Sequence, residues 1–278
     1  MVAPVSKHDM KMATPMPEMG TGPISVEPYV SAEFFEGERE QIFKRAWIEV
    51  CRDDHIPNPG DYIICPMEIW NSELIVTRGK DGQVRAFHNI CRHRAMKLVR
   101  RDISESENFQ CGNSHVLVCP FHGWTYNLDG SLRPLMGEEY FPDIDRAELG
   151  LLEVTLDSWN GFQFVHFQAE PTQSLREFLG KLADDMEDYP FENFSHIARY
   201  SARVKSNWKA SMDAFHEAYH AATLHGVSVP DAARNTETIV PTSARVYGPH
   251  HSVSMWSPTD YQPTPAAISA WKYGQSFS

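Results

Sequence analysis

The sequence is poor in cysteine and in basic charge and has no long apolar run, and each shortage removes a class of protein. Five cysteines among 278 residues are too few, and odd in number, for the disulfide frame of a small secreted domain. Metal or redox use explains them better. Twenty-five Lys and Arg against 37 Asp and Glu leave a net charge of -12, which disfavours nucleic acid or an acidic membrane surface as a partner. No segment approaches the ~18 uninterrupted apolar residues that cross a bilayer, so no membrane span is expected. The first thirty residues are broken by proline, glycine and charge and contain no apolar signal core, so a cytoplasmic protein is expected.

What is present divides into pieces. The length suits about two domains of roughly 150 residues, and 42% hydrophobic composition is enough for a buried core. Residues 1–47 read as a tail and a helix: Ser31 can cap a run toward Trp47, with Phe35, Ile42, Phe43 and Ala46 at near-helical spacing and Gly37 as a weak point. Residues 48–168 carry short β-rich runs (DYIIC, ELIVTR, QVRAF, HVLVC, WTYNL, LLEVTL, FQFVHF) separated by turn chemistry, which predicts a small antiparallel β domain. Residues 169–278 open with a capping box, Ser174 and Glu177, and Leu175, Phe178, Leu179 and Leu182 line one helical face. A second helix is predicted from Asn207 to His225, and the last forty residues hold prolines without a terminating element. The expected class is therefore α+β.

Two loops carry the first chemical signal. Cys91-Arg92-His93 and Cys119-Pro120-Phe121-His122 each follow a predicted strand and supply one thiolate and one imidazole. A zinc finger pairs like with like, whereas two mixed pairs suit a Rieske [2Fe–2S] centre, in which two Cys hold one iron and two His the other. Cys91-Arg92-His93-Arg94 and Cys119-Pro120-Phe121-His122-Gly123-Trp124-Thr125-Tyr126 resemble the two cluster-binding boxes of Rieske proteins almost position by position. Structural zinc or buried thiols are the alternative. The 25 residues between His93 and Cys119 exceed the family's usual spacing, and the polar stretch Arg101 to Ser114 is expected to be a surface insertion. Cys51, Cys65 and Cys111 have no motif and read as packing or incidental residues.

The second signal is Asn207-Trp208-Lys209 followed by Asp213, His216, Glu217, Tyr219, His220 and His225. Asp213, Glu217 and His220 stand at i, i+4 and i+7, on one helical face. Two histidines and a carboxylate with open positions form the facial triad of non-haem Fe(II) oxygenases. The stretch resembles the mononuclear-iron helix of Rieske non-haem iron oxygenases, the α subunits of aromatic ring-hydroxylating dioxygenases. That resemblance implies that His220 and His225 bind Fe(II) and that Glu217 links the two metal centres, although many members have aspartate there. Asp213 is a further catalytic candidate. The family takes its third iron ligand from well downstream of the second histidine. Asp231, Glu237 and Asp260 are the only acids after His225, and none has that context, so an incomplete, helix-grip-like catalytic domain is expected.

The resemblance implies an oxygenase fed by NADH or NADPH through a reductase or ferredoxin, working as a homotrimer or α3β3 assembly on O₂ and a small organic substrate, most commonly aromatic. A cluster-only electron carrier or an inactive fragment is the alternative. His216-Glu217-Ala218-Tyr219-His220 also matches the H-E-x-x-H pattern of zinc proteases, but proteolysis leaves the two upstream loops without a task. Trp208 and Tyr219 read as core aromatics, and His250-His251 as a loop pair without a partner.

Overall fold

The computed structural model describes residues 22–100, 110–193, 203–216, 220, 224 and 241–255. The chain divides into two compact units: Glu36–Phe178 with Glu187–Ala202, and Met1–Phe35 with Leu179–Met186 and Arg203–Ser278. Helices α1 (Glu27–Val30) and α2 (Ala32–Glu38) come first. Ser31 Oγ accepts the Phe34 N–H at 3.2 Å, as the cap reading required. The helix expected to continue to Trp47 ends sooner, in a single π turn at Arg39–Phe43. The cause is tertiary: the Trp70 indole donates to the Phe43 carbonyl at 3.0 Å and takes the acceptor that another helical turn would use.

The larger unit is built on seven strands, β1 (Ile48–Arg52), β2 (Asp61–Met67), β3 (Ser72–Arg78), β4 (Val84–His88), β5 (Cys111–Asn113), β8 (Glu153–Trp159) and β9 (Phe162–His166). Between β5 and β8 a separate hairpin pairs β6 (Leu117–Val118) with β7 (Thr125–Tyr126). The sheet order is β1-β9-β8-β4-β3-β2-β5, and every neighbouring pair is antiparallel. Two of these strands differ from expectation. β1 follows the N-terminal helices in the chain and pairs Ile48 with Val165 of β9. β5 sits inside the stretch read as a surface insertion and pairs Cys111 with Ile63 of β2, so part of that stretch is an edge strand. Its polar composition suits a strand with one open side.

Side-chain alternation makes β3 and β4 serve two cores. Leu74, Val76 and Ala86 join Ile63, Cys65, Trp70 and Val165 on one side. Ile75 and Phe87 point the other way, into a second core with Cys91, Leu117, Cys119, Trp124 and Tyr126. Each large apolar side chain buried there stabilises the unit by about 1.5–3 kcal/mol. The second core is thus the floor beneath both Cys–His loops. Buried Thr77 donates to the Leu128 carbonyl at 2.9 Å, and Gly130, at φ +85°, lies where a Cβ would strike the Phe87 ring. Cys51 and Cys65 are fully buried packing residues, as expected.

Helix α3 (Leu175–Leu179) begins with the predicted box: Ser174 N–H donates to Glu177 Oε2 at 2.8 Å, and Glu177 N–H donates to Ser174 Oγ at 3.3 Å. Leu175 and Leu179 are buried. The smaller unit contains α4 (Lys181–Met186), α5 (Trp208–His216) and a hairpin of β10 (Pro241–Tyr247) and β11 (His250–Met255). Asn207 caps α5, its Oδ1 accepting the Lys209 N–H at 3.0 Å. The expected helix from 207 to 225 is described as far as His216, and a further helical bond joins Leu224 N–H to the His220 carbonyl at 2.8 Å. Glu217, Tyr219 and His225 lie outside the described residues. Strands occupy 241–255, where only loose pieces were expected. The class is α+β, and among the described residues no helix is long and apolar enough to cross a membrane.

Candidate metal centre and the α5 region

The two Cys–His loops share one backbone plan. Cys91 N–H donates to the Met96 carbonyl at 2.8 Å, and Ala95 N–H donates back to the Cys91 carbonyl at 2.9 Å. Cys119 N–H donates to Trp124 at 2.8 Å, and Gly123 N–H donates to Cys119 at 3.0 Å. In both, the residue four after the cysteine has positive φ, +53° at Ala95 and +73° at Gly123. Each turn therefore folds back on itself, with its cysteine at the base and its histidine near the crest.

Burial follows the same division. Cys91 and Cys119 are 2% and 3% exposed, whereas His93 is half-buried and His122 exposed. The two thiols interact with each other, and burial pushes the Cys91 thiol up from its ordinary value while the Tyr126 hydroxyl opposes that rise. The His93 and His122 ring centroids are 4.6 Å apart at 62°. Two imidazoles bound to one metal at ~2.1 Å and near a right angle have centroids roughly 4.5–5 Å apart, so the pair suits a shared iron. Burial, with His122 and Arg94 adding to it, lowers the His93 imidazole. Among the described residues no three His, Cys, Asp or Glu side chains gather about one ion position. The four loop side chains divide into a sulfur pair and an imidazole pair, the donor arrangement of two bridged irons.

Neighbouring groups hold these side chains in place. Trp124 stacks on His93 at 4.9 Å and 9°, and Phe121 lies 3.9 Å from His122. Tyr126, fully buried, accepts the Arg92 N–H at 3.1 Å and sits 3.3 Å from Cys91 Sγ, so its own proton is free to point at the sulfur. Burial and Cys91 together raise that phenol well above its usual range. Asn89 ties the far leg of the first loop: its Oδ1 accepts the Leu98 and Val99 N–H groups at 3.1 Å, and its amide donates to Glu73 at 2.7 Å. In the sequence Trp124 and Tyr126 stand as motif letters without roles. Their aromatic identity two and four residues after His122 is the available signal.

The α5 region is placed only in part. Asp213 is exposed and accepts the Tyr29 hydroxyl at 2.8 Å. His216, the last residue of α5, meets His251 with centroids 4.0 Å apart at 73°. The His250-His251 pair therefore belongs to a strand, and His251 has a partner, unlike the loop pair expected. Burial, with His216 and His250, pushes the His251 imidazole down. His220 is half-buried in a turn.

Residues 46–140 match the family described as the Rieske [2Fe-2S] domain, and residues 191–276 match the ring hydroxylating alpha subunit catalytic domain. With the paired loops, this defines an iron–sulfur domain joined to oxygenase catalytic sequence. The chain belongs to the Rieske non-haem iron oxygenases, as an α-type (large) subunit sequence. It is 34% identical over 197 residues to the glycine betaine monooxygenase oxygenase subunit of Pseudomonas aeruginosa, covering 71% of this chain and 43% of that protein. It is 33% identical to the anthranilate 1,2-dioxygenase large subunit of Acinetobacter baylyi, covering 75% and 44%. A solved quaternary ammonium Rieske monooxygenase in complex with L-carnitine superposes with TM-score 0.69 at 25% identity, over 80% of this chain and 59% of that one. The chain thus spans less than two thirds of the length of these relatives.

Proposed function

We propose that Cys91 and Cys119 hold one iron of a Rieske cluster, that His93 and His122 hold the other, and that His220 and His225 bind a mononuclear Fe(II). The reading is an oxygenase α subunit, cytoplasmic, working in a homotrimer or α3β3 assembly and fed by a ferredoxin or reductase that draws on NAD(P)H. When bound, the two centres supply single electrons and O₂ activation. The chain's own residues set the conditions. The buried cysteines keep water from the sulfur side, and the exposed His122 and half-buried His93 give electrons a short way out. Tyr126 directs its hydroxyl at Cys91, and Glu217 is the carboxylate bridge toward His220.

The observation that carries this reading is the separation of the four loop side chains into a buried thiol pair and a surface imidazole pair. The substrate proposed is a small organic molecule, aromatic in the commoner case. A second reading, a quaternary ammonium substrate, is favoured by similarity to the glycine betaine and carnitine monooxygenase subunits. The test is anaerobic iron and acid-labile sulfide analysis of the purified chain. Two irons with two sulfides are expected from the cluster, and a third iron from the second site. Zinc without sulfide overturns the assignment.

A further inference from the structure

We infer that Lys209 and Tyr29 are positioning residues, which strap the N-terminal segment onto α5 and hold the helix that leads to the proposed iron ligands. This rests on the reading of 207–225 as the iron-side sequence. The Lys209 ammonium sits over three aromatic rings, 5.5 Å from the centroid of Tyr29, 5.5 Å from Phe34 and 5.1 Å from Trp208. Those distances lie within the ~6 Å range in which a ring face attracts a cation. Two of the three rings come from the N-terminal segment and one from α5 itself. The seat therefore exists only while the two pieces are together.

Tyr29 alone reaches the helix at three places. Its backbone carbonyl accepts the Asn207 side-chain amide at 3.2 Å, its ring faces Lys209, and its hydroxyl donates to Asp213 at 2.8 Å. Asn207 is the helix cap, and Lys209 and Asp213 are one turn apart on one face. Contacts at the cap, the first turn and the second turn fix both the height and the rotation of the helix. This matters because α5 has nine residues and no buried side chain. An isolated helix of that length is marginal in water, so it needs outside contacts to stay formed. Asp213 lies on the helix that ends at His216, one residue before Glu217 and four before His220 in the chain, so the seat of α5 sets where that iron-side sequence starts. Asp213 then serves by holding Tyr29 rather than by touching substrate. The three-ring seat also explains why Trp208 and Lys209 stand together directly after the capping Asn207.

Three variants of the full chain test this: K209Q removes the cation and keeps the stem, K209R keeps a cation suited to aromatic faces, and Y29F removes only the hydroxyl. Amide hydrogen exchange over Trp208–His216 is expected to quicken about tenfold in K209Q and a few-fold in Y29F, and to stay at the wild-type rate in K209R. With Fe(II) and nitric oxide as probe, the electron paramagnetic resonance line of the iron nitrosyl is expected to match wild type in K209R and to broaden in K209Q. The visible spectrum of the cluster is expected to be the same in all. Unchanged exchange in K209Q, or equal quickening in K209R, overturns the strap. Quickened exchange with no nitrosyl signal in any chain, wild type included, supports the strap and overturns the iron-side reading.

Discussion

Single side chains next to the cluster loops decide how the site behaves. Tyr126 accepts the Arg92 N–H and lies 3.3 Å from Cys91 Sγ, so it can donate to a thiolate. A hydrogen bond to a cluster sulfur favours the reduced state, which carries more negative charge. Tyr126→Phe is expected to lower the reduction potential by about 60 mV, the one-electron equivalent of ~1.4 kcal/mol, in voltammetry of the purified chain. An unchanged potential would remove the bond. His88 offers a pH test three residues before Cys91. Its Nδ1 is 2.8 Å from Ser72 Oγ, and burial lowers its imidazole below the ordinary 6.5. The unfolded chain then binds this proton more readily than the folded one. Its contribution to stability is full above 6.5 and is lost as pH falls through the lower folded value. Urea midpoints for wild type are expected to drop across that window more steeply than those for His88→Gln.

At the level of elements, the two loops were legible because their paired Cys–His motifs stand out by residue type, but the shared turn plan was not. Gly123 and Ala95 occupy equivalent left-handed positions, and only Gly123 is the residue type that marks such a position. Ala95→Gly is expected to raise stability by about 0.5–1 kcal/mol in equilibrium urea unfolding, since relief of the Cβ clash exceeds the added freedom of the unfolded chain. A loss of stability would mean that the first loop does not hold that conformation in solution. Capping signals read well because they are local: Ser174 with Glu177, and Ser31 with Phe34, form the bonds that their spacing implied. Strand β5 escaped notice because its partner is Ile63 of β2, about fifty residues away, and an edge strand needs no apolar pattern. The early end of the N-terminal helix has the same origin, an indole from Trp70 that no local rule anticipates.

For the molecule as a whole, the cluster unit and the α5 region make separable predictions. In a full-length relative carrying the same residues, His220→Ala is expected to leave the cluster's visible spectrum intact and to abolish product, assayed by oxygen uptake and chromatography. Product surviving that change would remove His220 from the iron site. Glu217→Gln is expected to leave both metals bound and to slow single-turnover electron transfer between them by more than tenfold, the scale on which loss of a positioned charged group acts. Unaltered single-turnover kinetics would exclude the bridge.

The Cys–His motifs, helix caps and the strand-rich middle were readable along the chain because each depends on residue type at short spacing. The proposed ligands Cys91, His93, Cys119 and His122 stand out in this way. The split of β3 and β4 between two cores, the Tyr126 hydroxyl over Cys91, the meeting of His216 with His251 and the Tyr29 hold on α5 arise from residues between 35 and 184 positions apart or from shared burial. Such contacts depend on how a folded sheet and a docked segment bring distant side chains to one place, and no local pattern encodes that meeting.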